Sequence, residues 1–285
     1  MKEPQEKWTE VIESNHSLFK LDLAEVWRYK DLIFMFVKRD FISSFKQTIL
    51  GPLWFFINPI ISTFVFTIVF GNFAGLPTDG IPKVLFYLAG ITLWNYFQST
   101  LLSTSNIFQG FAGIFGKVYF PRLVTPISIV ISSFMRLAIQ FVLFLIVWAY
   151  YFNKGMVHPN WWIFATPFLL IIMALLALGL GMIFSSLTTK YRDISNLIGF
   201  GISLFMWVTP VILPTSLVKQ KMGHYSYLVD FNPLTPIFEC FKYGFIGVGE
   251  FTVQSLAFSF IFTLIILMIG LVIFNKVEKS FMDTV

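Results

Sequence analysis

The sequence predicts an all-α membrane protein with six transmembrane helices, an N-terminal amphipathic interface helix and a re-entrant outer hairpin between spans five and six. Three observations carry that expectation. Of the 285 residues, 56% are hydrophobic and only 12% charged, about half of the roughly 25% charged share of a soluble domain. The apolar residues gather in blocks that approach the about 20 residues needed to cross a bilayer. The Lys and Arg residues sit in short loops between those blocks. That is a membrane-topology pattern, so the net charge of +5 does not imply a nucleic-acid partner.

Six segments qualify as spans: Pro52–Gly71, Val84–Phe108, Pro126–Phe152, Trp161–Leu187, Ser195–Leu213 and Thr252–Phe274. Pro210 and Pro214 interrupt the end of the fifth. An even number of spans places both termini on one side. Lys38, Arg39, Lys46, Lys117, Arg122, Lys190, Arg192, Lys276 and Lys279 fall on that side. They outnumber Lys83, Lys154, Lys219, Lys221 and Lys242 on the other, so both termini are expected in the cytoplasm. Trp54, Trp94, Trp148, Trp161 and Trp162 lie near span ends, where an interfacial aromatic belt would put them. The mixed-charge first fifty residues lack the pattern of a cleavable signal, so the first span is expected to direct insertion. The chain thus divides into a cytoplasmic N-terminal segment (1–50), a transmembrane domain (51–275) and a cytoplasmic tail (276–285).

Ahead of the first span, Leu23, Val26, Trp27, Ile33, Phe34, Val37 and Phe41 fall on one helical face, and Glu25, Arg28, Asp31, Lys38 and Arg39 fall away from it. Such a helix can lie in the plane of the interface; a soluble capping helix is the other reading. Between spans five and six, Thr215–Gly249 holds Asn232-Pro233, Pro236 and an apolar run, Ile237–Ile246, too short to cross. A re-entrant or interfacial hairpin fits it, forming with Pro210, Pro214, Asn232, Pro233 and Glu239 a gate-like element on the outer side.

The order of several motifs resembles a known family. Trp27-Arg28-Tyr29-Lys30-Asp31-Leu32-Ile33, Lys38-Arg39-Asp40-Phe41 and Phe45-Lys46-Gln47-Thr48-Ile49-Leu50-Gly51-Pro52-Leu53-Trp54 look like the opening motif of ABC-2-type export permeases. Pro59, Val118-Tyr119-Phe120-Pro121-Arg122, Tyr191-Arg192-Asp193-Ile194 and Asn232-Pro233-Leu234-Thr235-Pro236 continue the likeness over essentially the whole chain. It is similar above all to the branch that exports O-antigens, capsules and teichoic acids. That resemblance implies a homodimeric permease in the bacterial inner membrane. It also implies a separate ATPase subunit that binds ATP and Mg, and a lipid-linked glycan as substrate.

The residues agree on where energy does not come from. A P-loop needs Gly, four residues, then Gly-Lys-Ser/Thr; the nearest approach, Gly110 to Gly116-Lys117-Val118, has the wrong spacing and no hydroxyl. No cofactor is expected in this chain. The single cysteine, Cys240, reads as a packing residue, and no Cys/His grouping has metal-ligand spacing.

The inner loop Gly110–Pro126 is the candidate for contact with the ATPase. Its glycines permit a bend, and Gly116, Lys117, Tyr119, Phe120, Pro121 and Arg122 would form a basic-aromatic knob, by resemblance the coupling helix; an ordinary connecting loop is the alternative. Arg136 lies about ten residues into span three, roughly 15 Å along the axis, where a charge costs at least about 2.5–3.5 kcal/mol. It is read either as meeting the phosphate of a lipid-linked substrate or as helix-to-helix glue, with Glu239 the nearest carboxylate by depth. Asn95, Gln98, Ser99, Asn106 and Gln109 share a face of span two and serve either a glycan path or interhelical contacts. Ser195, Gly199 and Ser203 repeat every four residues on span five, suiting a dimer interface or packing within the subunit.

Two other function classes fit less well. An ion-coupled secondary transporter usually buries several ionisable groups or shows inverted repeats. A membrane-embedded lipid-linked sugar transferase needs carboxylates placed for a metal or a base, and Asp230, Glu239 and Glu250 form only a loose set.

Overall fold

The computed structural model describes residues 23–282 apart from Gly116, Tyr119, Arg192, His224 and Tyr225, with backbone alone for Leu23, Met222, Leu228 and 278–282. Residues 1–22 of the expected N-terminal segment, the expectations placed on Gly116, Tyr119 and Arg192, and those on the Leu23 and Lys279 side chains therefore lie outside the described residues. Every regular element among the described residues is helical.

The helices are α1 (Leu23–Arg28), α2 (Lys30–Ser43), α3 (Trp54–Phe66), α4 (Lys83–Ser105), α5 (Ile107–Phe115), α6 (Val124–Asn153), α7 (Thr166–Lys190), α8 (Ile194–Val208), α9 (Thr215–Met222), α10 (Tyr227–Asp230), α11 (Thr235–Ile246) and α12 (Val253–Met282). A 3-10 turn, Gly51–Leu53, leads into α3, and a π-helical stretch, Thr67–Phe73, extends it. Gly51 takes a positive φ of 54° and Pro52 follows it in the first turn, which suits a chain turning abruptly into a helix. At the start of α12, Thr252 and Ser255 each accept the other's backbone N–H at 3.1 Å, a reciprocal cap for two otherwise orphaned donors.

Four helical stretches are long and apolar enough to cross a membrane: Gly51–Phe73, Val124–Asn153, Trp161–Lys190 and Val253–Val277. Their burial differs, and that decides the architecture. Two-thirds of the α7 window (67%) is covered by protein, against 11% for α3 and 22% for α12. The α7 helix is therefore central, while α3 and α12 present apolar faces outward, among them Ile60, Phe64, Ile265 and Met268. The second expected span, α4, is enclosed by protein; Leu85, Tyr87, Trp94, Phe97 and Leu101 are all buried.

Glycines let the central helices touch. A Cβ on Gly270 of α12 would lie 2.5 Å from the Gly179 carbonyl of α7, and one on Gly181 would lie 2.5 Å from Thr104 Cβ of α4. No larger residue fits at either contact without moving backbone or a neighbouring helix.

Four expectations need correction. The helix expected as the fifth span stops at Val208 rather than Leu213, because Thr209 turns extended (φ −95°, ψ 145°), as the residue before Pro210 prefers. Trp94 is buried among Phe97 and Phe205 rather than placed in an interfacial belt. Lys242 is no loop charge; it sits buried inside α11. The N-terminal helix breaks at Tyr29, and its apolar stripe divides. Val26, Ile33, Phe36 and Val37 pack inward, whereas Trp27 and Phe34 are 72% and 75% exposed.

Candidate functional site

The helix α11 is twelve residues long and almost wholly buried, so both of its ends must satisfy their backbone groups inside protein. At its C-terminus, the last four carbonyls all find donors. Tyr243 O accepts from the Asn160 side-chain amide at 2.9 Å and from Gly247 N at 3.0 Å. Gly244 O accepts from Asn160 N and Ile246 O from His158 N, each at 3.0 Å. Phe245 O accepts from the Trp148 indole at 2.7 Å. Gly247 takes φ 87° to end the helix, a conformation that suits glycine.

At the N-terminal side, Asn232 accepts from Leu234 N at 3.0 Å and donates to Thr209 Oγ1 at 3.1 Å. The Pro233 carbonyl accepts from Ser259 of α12. Lys242 donates to the Pro210 carbonyl at 2.7 Å, lies 3.3 Å from Glu239, and stands 4.2 Å from the centre of the Phe86 ring. Glu239 in turn accepts from Glu250 N at 3.0 Å. Pro214 is buried at the start of α9. Thus Pro210, Asn232, Pro233 and Glu239 converge on one network joining the end of α8, α11 and the approach to α12. Lys242 is its centre, and sequence reasoning missed it; the signal was a Lys three residues after a Glu within an apolar helix.

At the opposite end, α2, α5 and the segment leading to α6 build an aromatic cluster. Phe36 meets Phe111 at 5.2 Å and Phe120 at 5.7 Å, and Phe108 stacks on Phe274 of α12 at 5.1 Å. The basic-aromatic knob expected here is in part a plug. Phe120 is 2% exposed, and Arg122 is buried with its guanidinium 4.2 Å from the Phe115 ring centre. Pro121 is half-buried, and Lys117 and Val118 are the exposed members. The helix α5 turns its glycines outward, since a Cβ on Gly110 or Gly113 would meet nothing within 4 Å.

The polar face of α4 is largely engaged with protein. Asn95 donates to Gln140 of α6 at 3.3 Å, Ser99 bonds back to Tyr96 O at 3.2 Å, and Asn106 donates to Leu102 O at 3.0 Å. Gln109, just beyond, donates to Thr188 O of α7 at 2.7 Å, and Gln98 is half-buried. Arg136 donates to Ser133 Oγ at a long 3.4 Å and lines a pocket together with Asp40 of α2. Glu239, the partner expected from depth, is instead engaged by Lys242 at the far network.

On α8, only Ile198 and Ile202 are buried. A Cβ on Gly199 would meet nothing within 4 Å, Ser195 is half-buried and Ser203 is exposed, beside exposed Phe200, Leu204 and Trp207. The small-residue stripe therefore has no close neighbour within the chain at Gly199.

Comparisons with known proteins agree in kind. The family described as ABC-2 type transporter matches residues 31–246. The O-antigen export system permease protein RfbA of Klebsiella pneumoniae is 26% identical over 254 residues, covering 89% of this chain and 94% of that protein. RfbA of Myxococcus xanthus is 22% identical over 224 residues, covering 77% and 82%. The polysialic acid transport protein KpsM of Escherichia coli is 23% identical over 262 residues, covering 86% and 93%.

Proposed function

This chain belongs to the ABC-2 type transporter family, and from that premise we propose that it is the membrane-spanning subunit of an ATP-driven exporter of a cell-surface polysaccharide. The observation that carries the reading is near full-length similarity to O-antigen and capsule-type export permeases. The chain is a multi-pass membrane protein, and its role is transport rather than catalysis. ATP and Mg belong to a separate ATPase subunit, and the polysaccharide travels on a lipid carrier.

The six-span arrangement completes itself with α4 and α8 beside the four apolar stretches, with both termini in the cytoplasm of a bacterial inner-membrane protein. The divided stripe of α1 and α2 supports an interface helix, one edge packed on the bundle and Trp27 and Phe34 turned to lipid. The short buried α11, tied at both ends, supports a re-entrant outer element. Two copies pair through the α8 face carrying Ser195, Gly199 and Ser203, the small residues admitting close helix approach.

The ATPase pushes on the exposed edge of α5 and on Lys117 and Val118. Because Phe36, Phe111, Phe115 and Phe120 belong to one packed cluster that also takes in residues of α6, α7 and α12, that push reaches α2, α6, α7 and α12 as a unit. The test is removal of the chain from its native cell. Glycan retained on the cytoplasmic side is expected; unchanged surface polysaccharide refutes the reading.

A further inference from the structure

Two clefts among the described residues, about 750 and 430 Å³, are lined almost wholly by carbon, as lipid-facing grooves are. A smaller one of about 280 Å³ is polar, lined by Asp40, Ser43 and Ser44 of α2, Ser103 and Asn106 near the end of α4, and Arg136. Arg136 stands twelve residues into α6, roughly 18 Å from its start. A guanidinium at that depth is held there against a cost of at least about 2.5–3.5 kcal/mol unless a counter-charge meets it.

Among the described residues no ion pair meets Arg136, whose hydrogen bond to Ser133 Oγ is a long 3.4 Å. Asp40 lines the same pocket, yet its Oδ1 already accepts from Arg39 Nη2 at 2.9 Å and from Arg39 Nε at 3.1 Å. Arg39 is held in that place by the Phe36 and Phe111 rings, 5.0 and 4.5 Å from their centres. The one carboxylate lining the pocket is thus engaged by Arg39, which leaves the Arg136 guanidinium open to an anion.

We infer that this pocket between α2 and α6 binds the phosphate of a phospholipid or glycolipid head group, with Arg136 as the phosphate ligand. Guanidinium is the side chain best matched to phosphate oxygens, in geometry and in charge. Size limits the ligand: 280 Å³ is roughly nine times the about 30 Å³ share of one water. The pocket takes a head group and not a polysaccharide chain. The exposed Ser43 and Ser44 in its lining leave it open to entry. Assigning the phosphate to the transported glycolipid rests on the polysaccharide-export reading; the phosphate chemistry does not.

The test uses the full chain in phosphatidylcholine nanodiscs, with polyprenyl phosphate and polyprenol of equal length as probes. Arg136→Gln is expected to weaken polyprenyl phosphate about ten- to a hundredfold, the loss of hydrogen bonds to a charged group, and to leave polyprenol unchanged. Arg136→Lys should retain part of the affinity. Ser44→Asp, an exposed position, adds a carboxylate to the rim and should weaken the phosphate probe about tenfold by repulsion. Equal affinity of wild type, Arg136→Gln and Ser44→Asp for polyprenyl phosphate overturns the pocket, as does a matching loss of polyprenol. Arg136-dependent displacement by equimolar phosphatidylglycerol assigns the phosphate to a bilayer head group and overturns the glycolipid assignment. Arg136-dependent phosphate binding by a chain whose removal leaves surface polysaccharide intact keeps the pocket and refutes the export function.

Discussion

Lys242 and Glu239 form an ion pair at 3.3 Å on successive turns of α11, with side chains only 3% and 4% exposed. Its value to the fold lies in what each partner holds besides the other. Lys242 reaches the Pro210 carbonyl, and Glu239 takes the Glu250 N–H, so one pair ties the end of α8 and the approach to α12 to the same short helix. Burying two charges gains little by itself, but stranding one costs about 3–5 kcal/mol. Lys242→Met or Glu239→Leu alone should therefore lower the unfolding midpoint of the purified protein sharply. The double replacement should recover most of that loss, since it strands no charge. A double variant as unstable as either single one would show that the links to Pro210 and Glu250, rather than charge compensation, dominate.

The far end of α11 depends on one side chain from the α6–α7 connection. Asn160 donates to Tyr243 O through its amide and accepts from Trp162 N at 3.0 Å, capping the 3-10 turn Trp161–Ala165. Asn160→Ala removes a cap and a buried hydrogen bond, each worth about 1 kcal/mol, so a loss of about 2 kcal/mol is expected. Hydrogen exchange of the Gly244–Gly249 amides should rise in the same variant. Unchanged protection there would separate Asn160 from the helix end.

What could be read from the sequence follows from what faces lipid. The stretches at Gly51–Phe73, Val124–Asn153 and Val253–Val277 announce themselves, because a helix that contacts lipid must be apolar wherever it does so, and Trp161–Lys190 reads the same way although protein covers two-thirds of it. The α4 helix is legible by length more than by hydropathy, since its neighbours are other helices and its Asn95 can pair with Gln140. The site was harder. Lys242 resembles a loop charge until Phe86 and Pro210 are brought to it from distant parts of the chain. Phe120 and Arg122 resemble an exposed knob until Phe36 arrives from α2 to cover the cluster. Spacing along one helix gives its faces, but not which face another helix will take.

The same distinction separates two glycine stripes. Gly270 meets the Gly179 backbone, so Gly270→Val forces α12 away from α7 and should cost at least the about 1–3 kcal/mol of an overpacked core. Gly199 faces open space within the chain, so Gly199→Ala should shift monomer stability by no more than about 0.5 kcal/mol. If α8 is where two copies meet, Gly199→Leu should reduce cross-linking between single cysteines placed at Ser203 while leaving each monomer folded. Undiminished cross-linking would move the contact to another face.

At the end built by α2 and α5, exposure predicts a division between stability and coupling. Phe120 fills the space among Phe36 and Phe115, both ring centres 5.7 Å away, so Phe120→Ala should cost about 3–5 kcal/mol and lower expression as well as export. Val118 is 58% exposed beside exposed Lys117. Val118→Asp should therefore leave the unfolding midpoint within about 0.5 kcal/mol of wild type, as surface changes do. A carboxylate placed on a surface that a partner must cover is costly to desolvate. Co-purification with the ATPase subunit should then fall while the permease itself stays intact. Retention of the ATPase by Val118→Asp, with full glycan export, would place the contact away from this loop and return it to an ordinary connection between α5 and α6.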